Sequence, residues 1–375
     1  MASNGYGWSG TVAFAFGLSL LTCAPARADD VSVCGTAEGV DTIAACDRLI
    51  GIDPKNANAF ESRGIARYKL NTFDEALADF NQTVELNPKG ATGYYNRALA
   101  YAALGRNQDA IDGYSKAIDL DPANVNARYG RALVRYTLGD WKGSIADYDG
   151  TLSINPNYAN AYLGRGVSYQ AESNYERAIA DYSSTLYLDP TNFATYVNRG
   201  NCEAARKDFV LALDDFARAL QLNPNYKEAY VGLGYAQRQA GHLDLSIQAL
   251  DKALAFDPKD KEALVRHGDV ELDLQNYPAA IADYSRMIEI DPKNATALNN
   301  RAFALVKSGK PDEGLPDIEK AIALGPKVAV YYETRGELME ALGKKALAIK
   351  DYKKALALGE KVESVKGLKR LKAVR

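Results

Sequence analysis

Residues 57–90 read ANAFESRGIARYKLNTFDEALADFNQTVELNPKG, and a unit of this length and pattern occurs nine times from 57 to 362 without insertion or deletion. Moving forward 34 residues brings like onto like. The proline near the end of the unit returns at Pro88, Pro122, Pro156, Pro190, Pro224, Pro258, Pro292 and Pro326; only the ninth copy departs, with Glu360. A fixed period in this range belongs to solenoids, which grow by adding units to one continuous core. One elongated domain therefore accounts for most of a 375-residue chain that length alone would divide.

Each unit reads as two helices. In the first copy Phe60, Gly64 and Ala66 precede a break at Leu70-Asn71-Thr72. Phe73, Ala76, Leu77, Phe80, Val84 and Leu86 then recur at the three-to-four-residue spacing of an amphipathic helix. Asn87-Pro88 ends it, because the residue before proline is pushed out of the α region. The eighth place is Gly or Ala in every copy, and the twentieth is Ala, Ser or Gly. Small side chains at both places let the two helices cross closely. The twenty-fourth place holds the bulk that fills the space beside them: Phe80, Tyr114, Tyr148, Tyr182, Phe216, Leu250, Tyr284, Ile318 and Tyr352.

This constellation resembles the tetratricopeptide repeat family over about four-fifths of the chain. The resemblance implies an all-α, right-handed superhelical solenoid of helix-turn-helix repeats. It further implies a concave groove lined by first helices, and a binding scaffold with neither catalysis nor a cofactor of its own.

Two places carry recurring charge. Arginine stands seventh at Arg63, Arg97, Arg131, Arg165, Arg199, Arg301 and Arg335, with Leu233 and His267 in the other copies. Aspartate stands twenty-third at Asp79, Asp147, Asp181, Asp215, Asp283, Asp317 and Asp351, with Gly113 and Ala249 elsewhere. Ion pairs are expected here, since a charge beside a core needs a partner. Two copies depart locally: Arg128 replaces an aromatic or Leu, and Pro316 falls one turn into the second helix of the eighth repeat. Loss of a backbone donor there predicts a distorted helix.

In the resembled family, ligand contacts come mainly from the second, fifth, ninth, twelfth and thirteenth places. No lysine occupies the fifth or ninth place here, so the family's carboxylate clamp is missing. The candidate partner-binding groove is apolar and tyrosine-rich: Tyr68, Tyr95, Asn96, Leu99, Tyr129, Leu133, Tyr136, Leu163 and Val167. Asn96, Asn198 and Asn300 recur at the sixth place, within expected reach of a peptide backbone. The late groove is more acidic, with Glu262, Asp269, Asp273, Glu333, Glu337 and Glu340.

Outside the repeats, residues 11–24 form an apolar run followed by Ala26-Arg27-Ala28. That is the pattern of a signal peptide cleaved after Ala28, so an exported, periplasmic protein is expected. An uncleaved membrane anchor over 11–24 and a lipoprotein cut before Cys23 are the competing readings. Residues 29–56 read as a partial repeat, with Cys46 in the twenty-fourth-place slot and Cys34 facing it. Their spacing is not that of a redox motif, and an oxidising compartment favours a structural disulfide that stabilises the cap by about 2–4 kcal/mol. Cys202 takes a slot filled by alanine in other copies and is expected to be a small buried residue.

Residues 363–375 read as a capping helix with Val365, Leu368, Leu371 and Val374 inward and Lys366, Lys369, Arg370, Lys372 and Arg375 outward. The basic face suits a polar end cap; weak peripheral contact with an anionic membrane is the alternative.

Composition narrows the function. A net charge of −3 offers no basic excess for nucleic acid. With only His242 and His267 in the chain, histidine metal sites and catalytic triads are nearly ruled out. No phosphate-binding glycine loop or zinc spacing occurs. The expected function is a non-enzymatic scaffold for a protein or peptide partner, without metal or cofactor. The alternatives are a self-assembling structural solenoid and, third, a small-molecule or glycan binder.

Overall fold

The computed structural model describes residues 29–36, 38–359 and 362–372. The leader and its cleavage site after Ala28, together with Val374 and Arg375, lie outside them. Regular structure among the described residues is entirely helical. The cap holds α1 (Asp30–Thr36) and α2 (Gly39–Ile52). The repeats follow as α3 (Ala57–Lys69), α4 (Phe73–Leu86), α5 (Ala91–Ala103), α6 (Asn107–Leu120), α7 (Val125–Thr137), α8 (Trp141–Ile154), α9 (Ala159–Ala171), α10 (Tyr175–Leu188), α11 (Phe193–Ala205) and α12 (Phe209–Leu222). They continue as α13 (Lys227–Gln239), α14 (Leu243–Phe256), α15 (Lys261–Asp273), α16 (Tyr277–Ile290), α17 (Ala295–Lys307), α18 (Pro311–Leu324), α19 (Ala329–Ala341) and α20 (Lys345–Ala357), and α21 (Val362–Arg370) closes the chain.

Every first helix starts at the first place of its unit and every second helix at the seventeenth. Local chemistry sets that register. The residue before the unit caps the first helix: Asn56, Asn124, Asn192, Asp260 and Asn294 each accept from the backbone N–H three residues on. At the fifteenth place the chain enters the left-handed region in all nine units, through glycine in five and through Asn71, Ser173, Lys207 and Gln275 in the rest. This turn reverses the chain so that the second helix folds back on the first.

The steric expectation holds. A Cβ on Gly64 would lie 2.6 Å from the Phe80 ring, and one on Gly336 would lie 2.7 Å from Tyr352. The ring is also pressed from the following element. A Cβ on Gly130 would meet Tyr114 at 2.7 Å, and one on Gly367 of α21 would meet Tyr352 at 2.5 Å. These bulky residues are buried, packed between their own repeat and the next.

The charged places pair as expected. Arg165 donates through Nε and Nη2 to both Asp181 oxygens at 2.8 and 2.7 Å, and Arg199, Arg301 and Arg335 hold Asp215, Asp317 and Asp351 in the same fork. Arg63 forks Asp79 similarly, and Arg67 adds a bond to the same carboxylate. A third contact was not foreseen from the sequence. The remaining guanidinium nitrogen reaches back to the twenty-fifth place of the preceding unit: Arg165 to Asp149 at 2.5 Å, Arg199 to Ser183 and Arg301 to Ser285 at 3.0 Å. Each such arginine therefore ties two repeats together. His267 fills the role in the seventh repeat, with Nδ1 2.6 Å from Asp283 and Nε2 3.4 Å from Asp251.

Chain contacts divide into two units, Met1–Asp140 and Trp141–Arg375. Within each, first helices touch the first helix of the next repeat, whereas no two second helices touch each other. The first-helix side is thus the tighter, inner side of each stack.

One expectation is corrected. Despite Pro316, α18 runs as an uninterrupted helix from Pro311 to Leu324. Pro311 sits at the N-terminus, where its missing donor is harmless. Pro316 is on the exposed side, while buried Ile318 and Ala321 anchor the opposite side. Arg128 is also explained: its Nη2 donates to Pro122 O at 3.2 Å, the job that the Tyr94, Tyr230 and Tyr332 hydroxyls perform at the same place elsewhere.

At the ends, Cys34 and Cys46 form a disulfide, and Asp30 is held by Arg48 beside it. Cys202 is buried, which pushes its thiol up to about 12. Leu368 of α21 and Leu371 just after it join the core of the last repeat, while Lys366 pairs with Glu363 and Arg370 with Glu340.

Candidate functional site

Seven of the nine candidate groove residues lie in the first unit and two in the second. On α3 and α5, Tyr68 packs against Phe73 with ring centroids 5.3 Å apart, and Tyr95 lies 6.0 Å from the buried Tyr114. Leu99 joins Tyr95 at the edge of that core. Asn96 is only 6% exposed and donates to Glu61 Oε1 at 2.9 Å. Its amide thus has a partner inside the protein; burial raises the Glu61 pKa, against the lowering effect of that bond. On α7, Tyr129 and Tyr136 are half-buried, while Leu133 between them stands 43% exposed. Leu163 and Val167 are half-buried against the Tyr182 core of the second unit.

A cavity of about 520 Å³ opens instead on the late first-helix face, among α13, α15, α17 and α19. Its polar wall is a connected network. Asn299 Nδ2 donates to Asn300 Oδ1, and Asn300 Nδ2 donates to Asp269 Oδ1, both at 3.1 Å. Asp269 also accepts from the Tyr284 hydroxyl at 2.6 Å and from Arg238 at 3.1 Å. Arg238 bridges onward to Asp273 at 2.6 Å, and Lys307 pairs with Glu337 at 2.8 Å. Burial and the Asp269 charge push the Tyr284 hydroxyl pKa up, so it stays a donor.

The late groove is therefore less starkly acidic than its carboxylates alone suggest, because Arg238 and Lys307 sit among them. Those two stand at the twelfth and thirteenth places, where the family resemblance already put ligand contacts. Selecting apolar, aromatic and acidic residues for the groove passed over them. Elsewhere, Glu203 is 6% exposed with Oε2 lacking a partner, and burial, with Asp215 alongside, pushes it up to about 7. It sits beside the Arg199–Asp215 pair, away from the cavity lining.

Helix pairs stacked so that, within each unit, the first helices share one side define the interaction-scaffold class of solenoid. A family model for the Tetratricopeptide repeat matches residues 62–125, 102–161, 129–195 and 299–362. Further models of the same repeat match 193–226, 227–260 and 268–309. The chain belongs to the tetratricopeptide repeat family. Among solved structures, a tetratricopeptide repeat protein from Parabacteroides merdae is 23% identical with a TM-score of 0.53, over 67% of this chain and 99% of that one. The Cut9–Hcn1 hetero-tetramer of the APC/C gives 0.56 at 15% identity over 88% and 83%, and pilF of Pseudomonas aeruginosa gives 0.51 at 20% over 58% and 98%. At these identities the likeness is one of fold. A comparison with curated proteins gave no match.

Proposed function

We propose that this chain is a non-enzymatic scaffold of the cell envelope that holds a polypeptide partner against its first-helix face. The observation that carries the reading is the aromatic and apolar face of α5 and α7, where exposed Leu133 stands with half-buried Tyr95, Tyr129 and Tyr136. Rigid aromatic surface with a few polar groups suits a peptide or amphipathic helix, since it supplies area at low entropic cost. The test is capture of partners from envelope extracts with the native chain and with Tyr95→Ala/Tyr129→Ala/Leu133→Ala. Loss of a specific partner from a variant that still folds supports the assignment; equal capture by both rejects it.

Export is supported by the apolar stretch before Ala28 and by the Cys34–Cys46 disulfide, a bond at home in oxidising compartments. No helix among the described residues is long and apolar enough to cross a membrane. A mature N-terminus at Asp29, read by intact mass, is the expected result; retention of residues 11–24 would favour the anchor.

Self-assembly is the second reading. Val31, Val40 and Ile52 of the cap are all more than 60% exposed, an apolar surface suited to end-to-end contact. Mass that rises with concentration, and falls back with Val40→Asp, supports it.

A further inference from the structure

We propose that the outward face of α20, continued by α21, is a docking face for an anionic phospholipid bilayer. The inference goes beyond the scaffold reading, because it concerns the second-helix side of the last repeat and not the first-helix face. Residues 344–375 hold eleven of the chain's 45 basic residues against three acids, although the whole chain is net negative. On α20 that charge is sorted to one side. Ala346, Leu347, Lys350, Lys353, Lys354 and Ala357 recur at helical spacing and are all exposed. Asp351, the acid of this helix, is buried on the other side and held by Arg335. At the same six places no other second helix of the repeats carries net positive charge. There α4 has Asp74, Glu75 and Glu85, and α18 has Asp312, Glu313 and Glu319 against Lys320.

Stability does not account for these lysines. Lys344 is the N-cap of α20 and makes no capping bond, and Lys345 opens a first turn that holds no acid. The helix macrodipole disfavours cations at that end. Lys350 and Lys354 stand one turn apart, where like charges repel. Lys354 rests over the Tyr332 ring, and none of the five lysines has an ion pair among the described residues. A bilayer is the occupant that fits. The face of α20 offers lysines and no arginine, hence mobile point charges and no fork to fix one carboxylate. Such charges answer to a surface whose negative charge is spread. Leu347, 47% exposed among them, supplies apolar surface for the headgroup boundary. Lys369 and Lys372, exposed in and just after α21, extend the charge.

The test is co-sedimentation of the full mature chain with phosphatidylcholine vesicles, with and without phosphatidylglycerol, at low and at high salt. Binding to the anionic vesicles is expected to exceed that to the neutral ones by about tenfold or more, and to be mostly lost in high salt. Lys350→Glu/Lys353→Glu/Lys354→Glu should weaken anionic binding by about tenfold or more. Lys116→Glu/Lys252→Glu/Lys320→Glu makes the same charge change at exposed places of other second helices, and should alter binding by less than about threefold. Lys344→Ser/Lys345→Glu supplies a cap and an acidic first turn, so it should raise the melting temperature while weakening vesicle binding. Polyglutamate separates a bilayer from an acidic protein: Leu347→Ser should weaken vesicle binding by about threefold and leave polyglutamate binding unchanged. Equal binding to neutral and anionic vesicles, equal loss in the two triple variants, or polyglutamate bound more tightly than anionic vesicles each overturns the inference. So does a Lys344→Ser/Lys345→Glu variant that loses stability and binds vesicles as before.

Discussion

The seam between paired helices and the first-helix face obey different rules. Along the seam the same few chemistries return in nearly every repeat: a glycine or alanine against a ring, and an arginine between two carboxylates or a carboxylate and a serine. Along the face little returns beyond neighbouring repeats. Tyr95 and Leu133 stand early, and Arg238, Asp269 and Lys307 stand late. What is uniform carries stability, and what varies is free to carry recognition. Substitutions therefore sort: seam changes should cost stability and spare binding, and face changes should do the reverse.

The largest break is expected at the seam. Gly336→Val places a side chain where a Cβ already falls 2.7 Å from Tyr352, and should destabilise by about 3 kcal/mol, read by denaturant unfolding. A variant as stable as the native chain would mean that the ring yields and the seam is loose. Asp181→Ala comes next. It leaves Arg165, whose side chain is 19% exposed, with Asp149 as its remaining carboxylate, and should cost about 2 kcal/mol once discounted for that exposure.

Two seam positions break the uniformity, and both make stability fall as pH rises. Glu203 is held up to about 7, above an unfolded carboxylate, so the native chain binds more protons between the usual carboxylate range and 7. Its burial is penalised fully only above that window. Glu203→Gln should then stabilise by about 1–2 kcal/mol at pH 8 and change little at pH 4.5. Burial lowers the His267 pKa, but the bond to Asp283, with Asp251 and Glu271 near, outweighs it and the net shift is upward. Its contribution is complete below the unfolded histidine value and lost as pH climbs through the folded one. His267→Arg should remove about 1 kcal/mol of that slope above pH 6.5. Unfolding curves across pH for both variants separate the two windows; an unchanged slope in His267→Arg would show that the imidazole is not charged in the fold.

The smallest effect lies in the turns. Gln275→Gly should add about 0.5–1 kcal/mol, because Gln275 holds a φ of 59° that glycine adopts without strain.

Much of the fold was legible because the period assigns each residue a place, and places decide neighbours within a unit. The helix starts, the Gly64–Phe80 contact and the Arg165–Asp181 fork all follow from counting. Contacts between units did not follow. The reach of Arg165 to Asp149 depends on how far one repeat is rotated on the next, which the pattern does not encode. Pro316 was misread because proline's cost depends on which side of the helix its ring occupies. The candidate face was only partly legible. Aromatic residues announce themselves by type, but the chain of bonds from Asn299 through Asn300 to Asp269 is a property of the network and not of any residue in it.

The rings wedged between successive elements have a consequence for how such a chain can lengthen or shorten. Tyr114 leans on Gly130 and Tyr352 on Gly367, so half of each ring's socket belongs to the segment that comes after it. Genetic duplication or excision of a whole 34-residue block keeps every ring in register with a socket. A residue gained or lost inside a helix instead turns the rest of that helix by roughly 100° and takes the glycine away from the ring. Whole repeats are the steps in which the molecule changes length with every socket kept.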